Sequence, residues 1–193
     1  MSIDSRRQQG VVLIVTLIVL VVMTMGAIAM VRSMDTTTLI AGNLAFRQSA
    51  TYSGDVGVET AIAWVQTQST TQLELDNATM AYSAGGSGNT PPAGTTWDQY
   101  WTATLAPGAR TLAADANGNT VAYVVHRLCA TPGARTAVGV NCVVSPATTA
   151  AAGSSKTAGA VGLTAAAQVY YRITARIAGP RGSASYIQAV IAF

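Results

Sequence analysis

The sequence has few charged residues, and this scarcity excludes several functions. Asp, Glu, Lys and Arg make up 10% of its 193 residues, with a single lysine, Lys156, and a single histidine, His126. The basic side chains are scattered and do not cluster with aromatic residues, so we expect no nucleic-acid binding, although the sequence pI is 9.1. With one histidine and no glycine-rich phosphate loop, no nucleophile, base and orienting group are visible, and we expect neither catalysis nor a cofactor.

Cysteine is equally scarce. Cys129 and Cys142 are the two cysteines, and the Pro-Gly turn at Pro132-Gly133 lies between them. In an exported protein such a pair is more often a disulfide than a metal site or a redox pair. No further ligand has matching spacing, so the sequence predicts no zinc site.

Charge is absent altogether from one segment near the N-terminus. The polar leader MSIDSRRQQG is followed by residues 11–31, VVLIVTLIVLVVMTMGAIAMV. About 21 uncharged positions span about 31 Å as a helix, which matches one hydrocarbon core. Arg6 and Arg7 predict that the leader stays in the cytoplasm and that the chain after the segment lies outside.

Three interpretations of this segment are open. A secretory signal peptide would be cut after Ala27-Ile28-Ala29, with Gly26 ending its helix, although the apolar core is long for that class. An uncut membrane anchor would hold an outer domain. In a class III leader, a membrane peptidase cuts between Gly10 and Val11, and the apolar segment becomes the N-terminus of the mature chain.

Residues 32–68 contain no proline and continue the helical pattern. Apolar or small residues recur with spacings of three, four and seven, which predicts one buried stripe: Met34, Thr38, Ala41, Ala45, Tyr52, Val56 and Ala63. Gly42, Gly54 and Gly57 each cost the helix about 1 kcal/mol relative to Ala, which suggests either close packing by a neighbour or a locally loose helix. A helix over residues 11–68 would reach about 87 Å, too long for a simple anchor, and this favours the class III leader.

The remaining residues, 69–193, suffice for one small domain. Trp97, Tyr100 and Trp101 are interpreted as a packing anchor beneath a loop. Asp115-Ala116-Asn117-Gly118-Asn119 superficially resembles a calcium loop, but its glycine and its twelfth position do not fit, so we interpret it as a turn.

Extended patterns dominate the second half of the chain. A strand is predicted over residues 120–128, with residues 138–144 as a candidate partner. Residues 145–165 are of low complexity and predict a surface loop. In the final hairpin, alternate residues from Val169 to Ile177 share one face, and the opposite face, Tyr170 to Arg176, is expected to be solvated or to meet a partner.

Several motifs together resemble the type IV pilins and, among them, the PilX-type minor pilins. Three N-terminal motifs and one C-terminal motif carry the resemblance: Arg7-Gln8-Gln9-Gly10, Ala41-Gly42-Asn43, the stretch RQSATYSGDVGVE over residues 47–59, and YYRITAR over residues 170–176. The match covers residues 6–65 well and residues 166–193 moderately.

The resemblance implies a division of the chain. Prepilin peptidase would remove residues 1–10, leaving Val11 as an N-methylated N-terminus. Residues 11–31 would form the transmembrane and pilus-core helix, 32–68 its amphipathic continuation, and 69–193 a β-rich periplasmic domain. The implied fold is α+β, a roll in which the long helix packs on a small antiparallel sheet of four strands.

The resemblance also implies a function in assembly. The subunit would prime type IV pili at or near the tip. Its partners would be other minor pilins and the major pilin through the N-terminal helix, and a tip adhesin. It would reside in the bacterial inner membrane before assembly and on the cell surface afterwards. Val15 occupies the family's usual glutamate position, which suggests a subunit with no protomer above it. The alternatives are a type II secretion pseudopilin and a membrane-anchored binding module.

Overall fold

The computed structural model describes residues 9–86, 90–146, 148–149 and 164–193. These residues form two helices and seven strands, joined by short 3₁₀ and π turns. In chain order the elements are: α1 (Gln9–Thr67), β1 (Tyr82–Ser83), α2 (Trp97–Tyr100), β2 (Arg110–Thr111), β3 (Thr120–Arg127), β4 (Thr148–Thr149), β5 (Thr164–Ala165), β6 (Tyr170–Ala178) and β7 (Ala184–Ala192).

Helix α1 is continuous over 59 residues, so the prediction of one long helix is confirmed. Its continuity agrees with the absence of proline, which would remove a backbone donor and clash with the preceding turn. The chain divides into two compact units, Met1–Arg47 and Gln48–Phe193, and α1 contributes residues to both.

The second unit is built on a five-stranded sheet. Its central strands are β3 and β6, which pair antiparallel over eight residues, from Thr120 opposite Ala178 to Arg127 opposite Tyr171. β7 pairs antiparallel with the other edge of β6 along nine residues. β1 and β2 pair with different parts of the remaining edge of β3. β4 and β5 form a separate two-stranded ladder.

The α+β class, with the helix packed on a small sheet, is confirmed. The sheet has five strands rather than the four predicted, and β1 runs parallel to β3. β1 contains two residues, which is too short for an alternating pattern to be recognised. Residues 138–144 are not a strand in the structure, where only isolated bridges occur at Cys142 and Val144.

The main core lies between α1 and one face of the sheet. Val58, Ala61 and Val65 of the helix are buried against the alternate residues of β3 and β6 that face them: Val121, Tyr123, Val125, Tyr171, Ile173, Ala175 and Ile177. Burying each large apolar side chain contributes about 1.5–3 kcal/mol. This core holds the helix on the sheet.

The predicted buried stripe of α1 is wrong within the second unit. Tyr52, Val56 and Ala63 are exposed, and the helix instead buries the neighbouring row: Ser53, Gly54, Gly57, Val58, Ala61 and Val65. Apolar residues occur on both faces of this part of the helix, so periodicity alone could not select the face that meets the sheet.

Candidate functional site

The apolar segment of α1 is the first candidate functional region. Its most apolar stretch has a mean hydropathy of 3.0 with no residue buried, and by length and composition it can cross a membrane. Val11 is 61% exposed and Val15 is 52% exposed. The chain therefore has one long apolar N-terminal helix that is compatible with membrane anchoring.

Polar groups within this segment are satisfied by the helix itself. The Thr16 hydroxyl donates to the carbonyl of Leu13 at 2.9 Å, and the Thr24 hydroxyl donates to the carbonyl of Val21 at 2.8 Å. An unsatisfied hydroxyl is costly in hydrocarbon, and these bonds remove that cost without needing a neighbour.

The structure addresses some of the evidence for the three interpretations of the N-terminus. Arg6 and Arg7 lie outside the described residues, and the cleavage junction between Gly10 and Val11 stays a prediction. Gly10 is helical and exposed, with open space where a Cβ would stand. Helix α1 continues through Gly26, which removes one argument for a signal peptide, the expected helix break before Ala27.

Two glycines allow α1 to approach the sheet closely. A Cβ added at Gly54 would lie 2.9 Å from Ile177 Cδ1, and one added at Gly57 would lie 2.5 Å from Val121 Cγ1. Both distances are below normal contact, so the predicted close packing is confirmed at these positions. At Gly42 nothing lies within 4 Å, so close packing within the chain does not explain this glycine, and a locally loose helix remains as the explanation there.

A polar network ties the turn before β3 to the helix. The Ser53 hydroxyl donates to Asp115 Oδ2, and the Asn119 side chain donates to Ser49, Ser53 and Asp115. The backbone N–H groups of Asn117 and Asn119 donate to Asp115 Oδ1 at 2.8 Å. The bond from Ser53, followed by those from Asn119 and Asn117, lowers the pKa of Asp115 to about 2.

This geometry is that of a turn, as the sequence predicted. Gly118 has a φ of +80°, a conformation that glycine adopts without strain. Both carboxylate oxygens of Asp115 are engaged by protein donors, which leaves them poorly placed to ligate calcium. Among the described residues, no group of three or more His, Cys, Asp or Glu side chains could hold a metal ion.

A disulfide joins Cys129 to Cys142, the pairing expected from the sequence. It closes a loop that starts at the end of β3. The backbone of Val143 lies between the ends of β3 and β6, because its N–H donates to Leu128 and its carbonyl accepts from Tyr170. The disulfide thereby fixes an irregular segment against the regular sheet.

The opposite face of the sheet is also covered. Tyr100, Trp101 and Leu105 are buried against Val124, which confirms the predicted packing anchor. Thr174, expected on a solvated or partner-binding face, is fully buried. Trp97 stacks on Tyr186 with ring centroids 5.9 Å apart, so the aromatic residues lie on the sheet itself rather than beneath a free loop.

Two candidate functional residues, His126 and Arg127, are not predicted from the sequence. His126 points toward this second face and lines a cavity of about 290 Å³ together with Asp76, Ser83 and Thr104. Burial and the nearby Arg172 lower the pKa of His126 to about 4, while Asp76 opposes the shift. Arg127, on the other face, is 1% exposed. An adjacent His-Arg pair in a strand gives no sequence signal for burial.

No family model matches the chain, and no curated protein or solved structure matches it either. The geometry therefore carries the functional argument. It defines an α+β protein with a disulfide-linked loop and one N-terminal helix long and apolar enough for a membrane anchor.

Proposed function

We propose that this chain is a PilX-type minor pilin that primes type IV pilus assembly and stays at or near the pilus tip. The observation that carries the proposal is α1. One unbroken helix begins at Gln9, within the Arg7-Gln8-Gln9-Gly10 motif, runs through an uncharged apolar segment, and ends packed through glycines on a small sheet. Such a helix suits a subunit that moves from a membrane into a helical fibre.

Assembly requires little free energy for extraction from the membrane. Residues 11–31 exchange lipid for neighbouring apolar helices, and the two surroundings are similarly apolar. The Thr16 and Thr24 hydroxyls carry their own hydrogen bonds into either surrounding. Beyond this segment, Leu39, Ile40 and Leu44 are also exposed, and they supply further apolar surface for partner helices.

Val15 favours the tip. A carboxylate in the apolar segment is tolerable where a partner amine neutralises it, and Val15 needs no such partner. A subunit without that demand is held in the membrane easily and can stand at the end of a fibre. The partners in this proposal are other minor pilins, the major pilin and a tip adhesin.

The proposed location follows from the same features. The leader faces the cytoplasm, the helix lies in the inner membrane, and the second unit folds in the periplasm before the subunit reaches the cell surface. The Cys129–Cys142 disulfide agrees with an oxidising compartment outside the cytoplasm.

Mass spectrometry of the mature N-terminus tests the proposal. We expect the chain to begin at Val11, carrying an N-methyl group. Gly10→Leu should block cleavage, because the peptidase must approach the backbone closely at this point. Gly26→Leu is the matched control, a glycine in the same helix away from the junction, and it should still be cleaved.

Two other mature N-termini would contradict the proposal of a minor pilin. A mature chain that starts at Met30 would establish a secreted protein cut after Ala29. A chain that keeps Met1 would establish an uncut anchor, and the function would then be that of a membrane-anchored binding module.

A further inference from the structure

Arg127 is a buried charge in the second unit. Its side chain is 1% exposed, and it is the one charged residue among the buried residues that the structure describes. Arginine stays protonated in proteins, so burial cannot be relieved by loss of the proton. An isolated buried charge is expensive unless it is paired and hydrogen-bonded.

The protein compensates this charge incompletely. Arg127 Nη1 donates to the carbonyl of Gly133 at 2.7 Å, while the buried Nε has no hydrogen-bond partner. In the described parts of the chain no carboxylate lies within 4 Å of this guanidinium. The ion pair observed among those residues joins Arg176 to Asp98 instead. The carbonyl of Gly133 and the side chain of Tyr171 are the partners of a group with five N–H donors, and both are neutral.

A cavity of about 240 Å³ opens beside Arg127, where β3 and β7 end and β6 begins. A second cationic side chain, Arg135, lines the same cavity. It donates to the carbonyl of Ala167. Thr70 adds a hydroxyl to the lining. The other walls are apolar or aromatic and include Val169, Tyr171 and Phe193.

The lining has a cationic part and an apolar part. Burial raises the pKa of the Tyr171 hydroxyl, and the charge of Arg127 and its hydrogen bond to the Tyr171 side chain oppose that rise. The cavity volume of about 240 Å³ is several times that needed to hold one water molecule. That is enough for a small organic acid.

We propose that this cavity binds the carboxylate of a small apolar acid. The carboxylate would accept hydrogen bonds from Arg127 and Arg135, since the planar guanidinium matches a carboxylate in a bidentate pair. The apolar body of the acid would lie against Val169, Tyr171 and Phe193. This site is additional to the proposed pilus function and does not rest on it.

Calorimetry on the full chain in a neutral detergent tests the proposal, with sodium phenylacetate as the probe at constant ionic strength. Its matched control is phenylacetamide, which has the same ring and no charge. We expect phenylacetate to bind with a dissociation constant at least about tenfold lower, because hydrogen bonds between charged groups are stronger than neutral ones. This comparison needs no variant.

Variants locate the site. R127Q should abolish phenylacetate binding, and R135Q should weaken it. R110Q removes the same charge from β2, where Arg110 donates to the sulfur of Met80, and should bind like the unmodified chain. If R127Q does not fold, R135Q and the amide comparison remain decisive.

Three results would overturn the proposal. They are equal affinity for the acid and the amide, undiminished binding in R127Q or R135Q, and inorganic phosphate binding as tightly as phenylacetate. Each would leave Arg127 as a structural tie to the carbonyl of Gly133. The maturation of the N-terminus is measured separately, so failure here leaves the pilin proposal unaffected.

Discussion

The two structural units place apolar side chains in opposite surroundings. From Val11 to Val31 every side chain is exposed, whereas Ile173, Ala175 and Ile177 in the second unit are fully buried. The first unit is held together by the backbone hydrogen bonds of one helix, and the second by tertiary packing on a sheet. Similar residues therefore serve different purposes. In the first unit they form an exposed apolar surface that is compatible with membrane anchoring, and in the second they stabilise the fold.

The same substitution in each unit tests this contrast most strongly. Ile173→Ala should lower the free energy of unfolding of the second unit by about 4 kcal/mol, because a fully buried side chain leaves a cavity. Ile18→Ala should leave that value unchanged, since Ile18 is 54% exposed in the first unit. Urea unfolding followed by tryptophan fluorescence measures both. Equal losses in the two variants would contradict the comparison.

A change of pH should act on the second unit through His126. Its pKa is about 4 in the folded chain and about 6.5 when unfolded, so the unfolded chain binds the proton more tightly. Stability should be complete above about pH 6.5 and should fall by about 3 kcal/mol as the pH drops through 4. His126→Gln should remove this dependence, which urea midpoints at pH 7.5 and 4.5 would show.

Asp115 acts in a separate range. Its lowered pKa of about 2 means that the carboxylate stabilises the fold above about pH 4 and that this contribution is lost as the pH falls toward 2. If the stability of the unmodified chain began to fall only below pH 4, the burial of a neutral His126 would be contradicted.

The contrast between the units also explains what the sequence could predict. The long helix, the final hairpin and the α+β class follow from uninterrupted patterns of 3.6 and 2 residues. The buried face of α1 does not, because Tyr52 and Val56 are as apolar as the row that meets the sheet. Gly54, Gly57 and Ala61 face the sheet because they are small enough for close contact. That requirement depends on the surface of the sheet and cannot be read from the helix sequence.

The buried charge and the neutral histidine were beyond sequence reasoning for a related reason. His126 and Arg127 are neighbours on β3 and point to opposite faces of a sheet that is covered on both sides. Their burial depends on α1 and on the segment around Trp101, which are distant in the sequence. Likewise, β1 is defined as a strand by its pairing with β3 and not by a pattern in its own two residues.

A charge in the first unit tests the role proposed for its exposed surface. Val15→Glu should give no gain in the number of surface pili, because a tip subunit has no protomer above it to pair with. It should instead reduce retention in the membrane, at a cost of roughly 2.5 kcal/mol for an unpaired carboxylate in the bilayer. Val15→Gln is the uncharged control. Pilus counts and membrane fractionation measure the two effects.

Deletion of the gene sharpens the same test. A primer controls initiation, so the number of pili should fall far more than their length. Normal numbers of pili in the deletion strain, or immunogold label along the whole shaft, would rule out the tip role. A gain of pili in Val15→Glu would show that the fibre does place a protomer above this subunit.

The smallest expected effect compares two glycines of α1. Gly57→Ala should lower the free energy of unfolding by about 1 kcal/mol, because the crowding against Val121 Cγ1 exceeds the gain of about 1 kcal/mol in helix propensity. Val121 is β-branched and cannot easily turn aside. Gly42→Ala meets nothing within 4 Å, so it should keep the gain in helicity, measured by circular dichroism. If Gly57→Ala were as stable as the unmodified chain, the glycine would not be needed for contact with the sheet, and helix loosening would be the better explanation for both positions.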